Sequence, residues 1–186
     1  MKLLFVLTLL SQMSFAQDCK YSLEENKTKL TWTAFKTPLK VGVSGSFDKL
    51  GVNKNVTGSS LSEMLENTTF NIETASVNSG DKVRDGKLNQ FFFAPLSKNF
   101  KGKILSYKRK VLEVEINIAG QKMILPLKVT QTPDQVHAKG TLDILDISEG
   151  SKHLASINKA CETLHEGKTW NDVELELKLN YLKSCK

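Results

Sequence analysis

The chain has 186 residues, 26 Lys and Arg against 20 Asp and Glu, a formal charge of +6 and 40% hydrophobic residues. That length suits one domain burying roughly 70% of its extended-chain surface. The basic residues are scattered, and their densest cluster, Lys108-Arg109-Lys110, reads as a turn between strands, so no nucleic-acid partner is expected.

Met1-Lys2, the apolar run Leu3 to Leu10 and the small-residue end Ser14-Phe15-Ala16 have the layout of a secretory signal peptide over residues 1–16. The run is shorter than the ~20 residues that cross a bilayer. Cleavage after Ala16 removes Lys2 and leaves a domain over 17–186 with a charge of +5. Cys19 follows Gln17 and Asp18 and not a run of small residues, which argues against a lipid anchor. No later segment is apolar enough to cross a membrane, so the product is expected to be periplasmic or secreted and not an integral membrane protein.

Strands are expected over 29–36 and 40–48, separated by Thr37-Pro38. A short helix over 59–66 follows, with Ser60 and Glu63 in capping-box spacing, and then a strand over 68–74. Residues 85–93 read as a second helical piece and 100–107 as a strand. The clearest strand is 111–118, where Leu112, Val114, Ile116 and Ile118 share one face and Glu113, Glu115 and Asn117 the other. Ala119-Gly120 turns the chain into 122–130. Pro126 lacks a ladder N–H and so belongs at a bulge, an edge or a strand end. Thr132-Pro133-Asp134 then leads into a strand over 135–144. The longest helix is expected over 151–165, with Leu154, Ile157, Ala160, Cys161 and Leu164 as an apolar stripe able to cover one end or flank of a sheet. From Val173 to Tyr181 strict alternation returns.

Eight amphipathic strands with mostly short connections make this a mainly β chain, best accommodated by an eight-stranded antiparallel barrel with one longer helix and short helical pieces. Closure removes the exposed edges that invite aggregation, and a barrel of this size can hold one small ligand. A packed two-layer sandwich has the same periodicity.

Three cysteines in an exported chain predict one disulfide and a free thiol, pairing Cys19 with Cys161 or, alternatively, with Cys185. Cys161 and His165 are four apart on a helix, but no second pair has ligand spacing, so no metal is expected. Catalysis would need a nucleophile, a base and an orienting group to converge. The chain offers His137, His153 and His165, and His137 alternates with apolar neighbours as a solvent-facing residue would. No catalytic residues, enzyme activity or cofactor are expected. Asn26-Lys27-Thr28, Asn55-Val56-Thr57 and Asn67-Thr68-Thr69 mark surface loops.

Tyr21 to Leu23 leads into Leu30-Thr31-Trp32-Thr33-Ala34-Phe35-Lys36, followed by Val41-Gly42-Val43-Ser44-Gly45-Ser46-Phe47 and then by Ala75-Ser76-Val77-Asn78-Ser79-Gly80 with Arg84-Asp85 and Leu88. Phe91 to Phe93 and Thr169-Trp170-Asn171-Asp172-Val173 complete the series. In this order the motifs carry a resemblance to the YceI-like family of bacterial periplasmic proteins, one that spans nearly all of the mature chain. It implies a lipocalin-like barrel and an extended hydrophobic cavity for a long-chain amphiphile such as an isoprenoid or isoprenoid quinone. The helix over 151–165 is more elaborate than the usual connection and resembles that of a subgroup. Within the motif, Asp85 is expected to cap the following helix and Arg84 to pair with a carboxylate.

A chain-like ligand needs a dry tunnel, since each buried CH₂ contributes about 0.8 kcal/mol. The expected lining is Trp32, Val41, Val43, Phe47, Phe70, Ile72, Val114, Ile116, Leu175 and Leu177, with Phe91, Phe92 and Phe93 at the mouth or against ligand. The bland alternative is a barrel filled by these same side chains, working as a ligand-free envelope interaction protein through a surface patch around the long helix. An isoprenoid-type lipid or quinone is thus the expected partner, and a homodimer is compatible with the sequence. An enzyme acting inside the barrel would need inward ionisable residues where the strands show apolar faces.

Overall fold

The computed structural model describes residues 18–186; the expected signal segment lies outside them. The described residues form twelve strands: β1 (Cys19–Leu23), β2 (Lys29–Lys36), β3 (Val41–Phe47), β4 (Leu50–Val52), β5 (Thr57–Gly58), β6 (Thr69–Glu73), β7 (Val77–Asn78), β8 (Asn99–Lys108), β9 (Val111–Ile118), β10 (Gln121–Gln131), β11 (Gln135–Asp143) and β12 (Thr169–Cys185). The helices are α1 (Leu61–Glu66), α2 (Lys82–Leu88), α3 (Ala94–Leu96), α4 (Gly150–Ala160) and α5 (Glu162–His165), with a π-helical turn over Asn89–Phe93. All eight expected strands are present within a few residues of their expected bounds, and β1, β4, β5 and β7 are additional short ones.

The strand order is β4-β6-β8-β9-β10-β11-β12-β2-β3-β7, every pair antiparallel. β3 and β4 stand near opposite ends of this path, yet only Asp48 and Lys49 separate them. Two residues span about 11 Å from Cα to Cα across their three links. The sheet must therefore curl until its ends meet. A second segment makes the same corner: β6 passes to β7 through Thr74–Ser76, and the bonds Asp48 N to Ser76 O (2.9 Å) and Glu73 N to Lys49 O (3.1 Å) clamp the two corners together. The barrel is thus closed by bent chain rather than by a full ladder.

Arg109 and Lys110 both have positive φ, as do Ala119 and Gly120, giving two-residue hairpins whose twist matches that of the flanking strands; of the four only Gly120 adopts that region freely. Pro126 pairs with Glu113 of β9, but β10 pairs with β11 only from Lys128 to Gln131. The missing N–H therefore falls where β10 is locally an edge, as its chemistry demands. Ser60 accepts from Glu63 N at 3.1 Å and Glu63 returns to Ser59 N at 2.8 Å, so Ser60 caps as expected, α1 begins at Leu61 and not at 59, and the reciprocal bond is shifted by one residue.

The barrel interior is two different halves. At one end α1 closes the barrel, with Met64 and Leu65 fully buried and Leu112, Val136, Ala138, Leu179 and Tyr181 packed tightly beneath. At the other end the inward residues Ile116, Ile118, Leu142 and Leu175 face open space roofed by α2, the π turn and α4.

The helix expected over 151–165 is interrupted. Cys161 takes φ −121°, and α5 restarts beyond it. The start of α4 is fixed by Gly150, where an added Cβ would run into the carbonyl of Ile144. Gly150→Ala is expected to lower stability by about 2 kcal/mol, since backbone crowding outweighs the gain of about 1 kcal/mol in helix propensity. Urea unfolding checks this, and an unchanged midpoint would show that the α4 junction yields.

Candidate functional site

The open half holds a cavity of about 380 Å³, within the roughly 300–1,000 Å³ of small-molecule sites. Alternation in the strands builds its walls: Trp32 from β2, Val43 and Phe47 from β3, Ile72 from β6, Ile116 from β9 and Leu175 from β12. The roof comes from α4 and α5, whose apolar stripe supplies Leu154, Ile157, Cys161 and Leu164, so the stripe does cover one end of the sheet. Phe92 and Phe93 enter from the π turn. Phe93 stands edge-on to Phe47 (5.4 Å between centroids) and Phe92 (5.1 Å), and tilted against Phe100 (6.1 Å), which holds the ring in place.

Five expected lining residues stand elsewhere. Val41 shares the inward face of Val43 but lies at the rim, 47% exposed. Phe70 shares the face of Ile72 but its ring covers the Cβ position of Gly102. Val114 is in the packed half, Leu177 is partly buried against the core, and Phe91 is half-buried outside the lining. Phe100, Ile118, Leu142 and Trp170 line the cavity and were missed. For Ile118 and Leu142 the strand alternation was the available signal; for Trp170 there was none, since it lies where the β12 register shifts between Thr169 and Val173.

The disulfide joins Cys19 to Cys185, which corrects the pairing of Cys19 with Cys161. β12 runs to Cys185, and β1 pairs with it so that Cys19 and Cys185 are register partners, while Cys161 is a buried free thiol at the cavity roof. Two roles in the Arg84-Asp85 motif also change. Asp81 caps α2, accepting from Val83 N (2.9 Å) and Arg84 N (3.1 Å), so the helix begins earlier than 85. Asp85 turns back to Ser79, accepting from its N–H (2.8 Å) and hydroxyl (2.6 Å), and Arg84 donates to the Ser79 hydroxyl and carbonyl, not to a carboxylate.

Charged and titratable groups meet the apolar wall at Lys36, Asp81, Arg84, Lys87 and His165, while within the wall the buried Trp32 Nε1 is a donor without a protein partner among the described residues. Burial, then the Lys36 and Lys87 charges, hold the His165 imidazole below its usual pKa, so it is neutral at pH 7; its Nδ1 lies 2.6 Å from the Thr169 hydroxyl. The other histidines are remote in role: His137 on β11 lies 2.8 Å from Glu176, and His153 is buried in α4. The Lys178 ammonium, with Lys139 behind it, holds the Glu176 carboxyl down at about 2.

A broader groove of about 670 Å³ opens at the seam between β2 and β4. Its walls include Glu25, Lys29, Asp48, Lys54 and Asn55, and it backs on to the cavity only through Leu30 and Phe47. Leu50 and Val52 add some apolar surface, but these polar walls stabilise an apolar chain less than the cavity does.

No helix among the described residues is long and apolar enough to cross a membrane. No curated protein matches the chain. Among solved structures, a polyisoprenoid binding domain from Saccharophagus degradans implicated in plant cell wall breakdown is similar at a TM-score of 0.58 and 16% identity, covering 87% of this chain and 97% of that one. Burkholderia cenocepacia BcnA is similar at a TM-score of 0.53 and 15% identity, over 86% and 99%. The Campylobacter jejuni YCEI protein is similar at 0.51 and 16%, over 78% and 86%. These likenesses show a shared fold, and the model of the YceI-like domain matches residues 21–181. A barrel of this topology, matched over nearly its whole length, places the chain in the YceI-like family.

Proposed function

We propose that this chain binds a long-chain amphiphile, an isoprenoid, isoprenoid quinone or similar lipid, with its tail in the apolar cavity and its polar end at the rim. The observation that carries the reading is the half-empty barrel: one end is filled by α1 and the core, and the other leaves an apolar volume that a packed interaction module has no reason to keep. A void lined by Ile, Leu and Phe forfeits contacts that an apolar occupant restores. The likeness to a polyisoprenoid binding domain supports the same class of occupant.

The protein holds its ligand without converting it, for transport, storage or protection, in the periplasm or outside the cell. The Cys19–Cys185 disulfide suits such an oxidising compartment.

Native mass spectrometry of the exported protein, followed by solvent extraction, tests the reading. The expected result is a stoichiometric long-chain species that survives purification. An apo mass together with no uptake of added farnesol or a short-chain ubiquinone would sink it and favour the ligand-free interaction protein.

A further inference from the structure

The mouth of the cavity carries an unusual set of exposed apolar side chains. Leu39 is 86% exposed, Val83 74% and Leu164 61%. Val83 and Leu164 line the cavity itself. Leu39 sits at the tip of the β2–β3 turn, and that turn is held firmly against the mouth: Thr37 N donates to Lys168 O (2.9 Å), and Trp170 Nε1 donates to Thr37 O (2.8 Å). A large apolar residue presented on a braced turn next to a cavity entrance is not a surface accident of the scattered kind.

Bases surround this set. Lys36 and Lys87 stand at the rim, and Lys168 lies over the Trp170 ring at 4.6 Å. Of the nearby carboxylates, Asp172 is paired to Lys40 at 2.7 Å and Asp81 is engaged in capping α2; Glu162 and Glu166 on and after α5 complete the acidic side. Apolar tips, an amphipathic indole and lysines around one opening are the combination that seats a protein in the interface of an anionic membrane.

We propose that the cavity mouth is a membrane-docking face, in which Leu39, Val83 and Leu164 enter the headgroup region of an anionic phospholipid bilayer while Lys36, Lys87 and Lys168 contact its phosphates. It extends the lipid-binding reading, because an occupant insoluble in water has to pass between bilayer and cavity, but it rests on separate observations. Docking in this pose sets the cavity opening on the bilayer and leaves the disulfide-closed end in water.

The test is cosedimentation with vesicles of phosphatidylglycerol and phosphatidylcholine in equal parts, against phosphatidylcholine alone. The chain is expected to bind the anionic vesicles and to leave them as salt rises. Each lysine near such a surface contributes a factor of about five, so Lys36→Ala with Lys168→Ala should weaken binding about 25-fold. Leu39→Asp, at an exposed position outside the cavity lining, should weaken it about tenfold. In a Trp32→Phe background, where Trp170 is the one remaining tryptophan, its emission should be quenched by brominated lipid. Equal binding to neutral vesicles, unaltered binding by both the double lysine variant and Leu39→Asp, or an unquenched Trp170 would overturn the proposal. So would a native dimer mass that Leu39→Asp abolishes, since the face would then belong to a second copy. Cavity occupancy is read separately by native mass in the absence of vesicles, so an empty cavity and a face that does not dock give different results.

Discussion

Ala34→Trp combined with Ile116→Phe is expected to abolish retention of a long-chain ligand while leaving the barrel folded. Both residues line the cavity, from β2 and β9. Their enlarged rings enter space that is already open, so the strain that usually attends overpacking is avoided. Each isoprene unit excluded removes five carbons from the dry site at about 0.8 kcal/mol apiece, a loss of about 4 kcal/mol or roughly a thousandfold in affinity. The filled apo protein should be at least as stable as the parent, because the new rings regain contacts that the void forfeits. Titration with a fluorescent prenyl probe, read beside a thermal melt, separates the effects. Unchanged affinity with a normal melt would move the ligand out of this cavity.

That experiment turns on a distinction the amino-acid pattern does not contain. Val114 and Ile116 are successive inward residues of one strand, both β-branched, one between Glu113 and Glu115 and the other between Glu115 and Asn117. Periodicity of two correctly turns both inward and says nothing more. What separates them is remote in sequence: Met64 and Leu65 of α1 fill the space at one end of β9, whereas α4 and the π turn only roof the other. Filled and empty are properties of how the ends are capped, and caps are tertiary. Two readings that seemed exclusive, a packed barrel and a hollow one, are each correct for one half.

The motif around Arg84 shows a second limit. Asp81 and Asp85 are both plausible caps by residue type, and the choice depends on which backbone amides lie free. Asp81 meets Val83 N and Arg84 N, and Asp85 is then drawn to Ser79. By contrast β2 and β9 fall on their expected residues to the end. In β9 the alternation is unbroken, and in β2 it holds from Leu30 to Ala34, which is enough to fix both strands although their turns place Thr37, Arg109 and Lys110 at positive φ.

Where alternation fails, the disulfide pairing was lost with it. After Tyr181 come Leu182, Lys183 and Ser184, which no period-two reading extends, with Leu182 61% exposed. Yet the strand continues to Cys185 because β1 pairs with it along its whole length, and Leu23 is buried at the inner end. The bond therefore ties the first described strand to the last across a sequence separation of 166. Opening a loop of that size restores unfolded-state entropy equivalent to about 5 kcal/mol on the chain-entropy account. Cys19→Ser with Cys185→Ser is expected to lose about 3–5 kcal/mol, or roughly 10–15 °C in Tm for a chain of this length. Reductant should produce the same shift in the parent and in Cys161→Ala, whose thiol is free, and none in the double serine variant. A parent indifferent to reductant would mean that hydrogen bonding between β1 and β12, with Tyr21 against Tyr181 at 5.9 Å, already holds the closed end unaided.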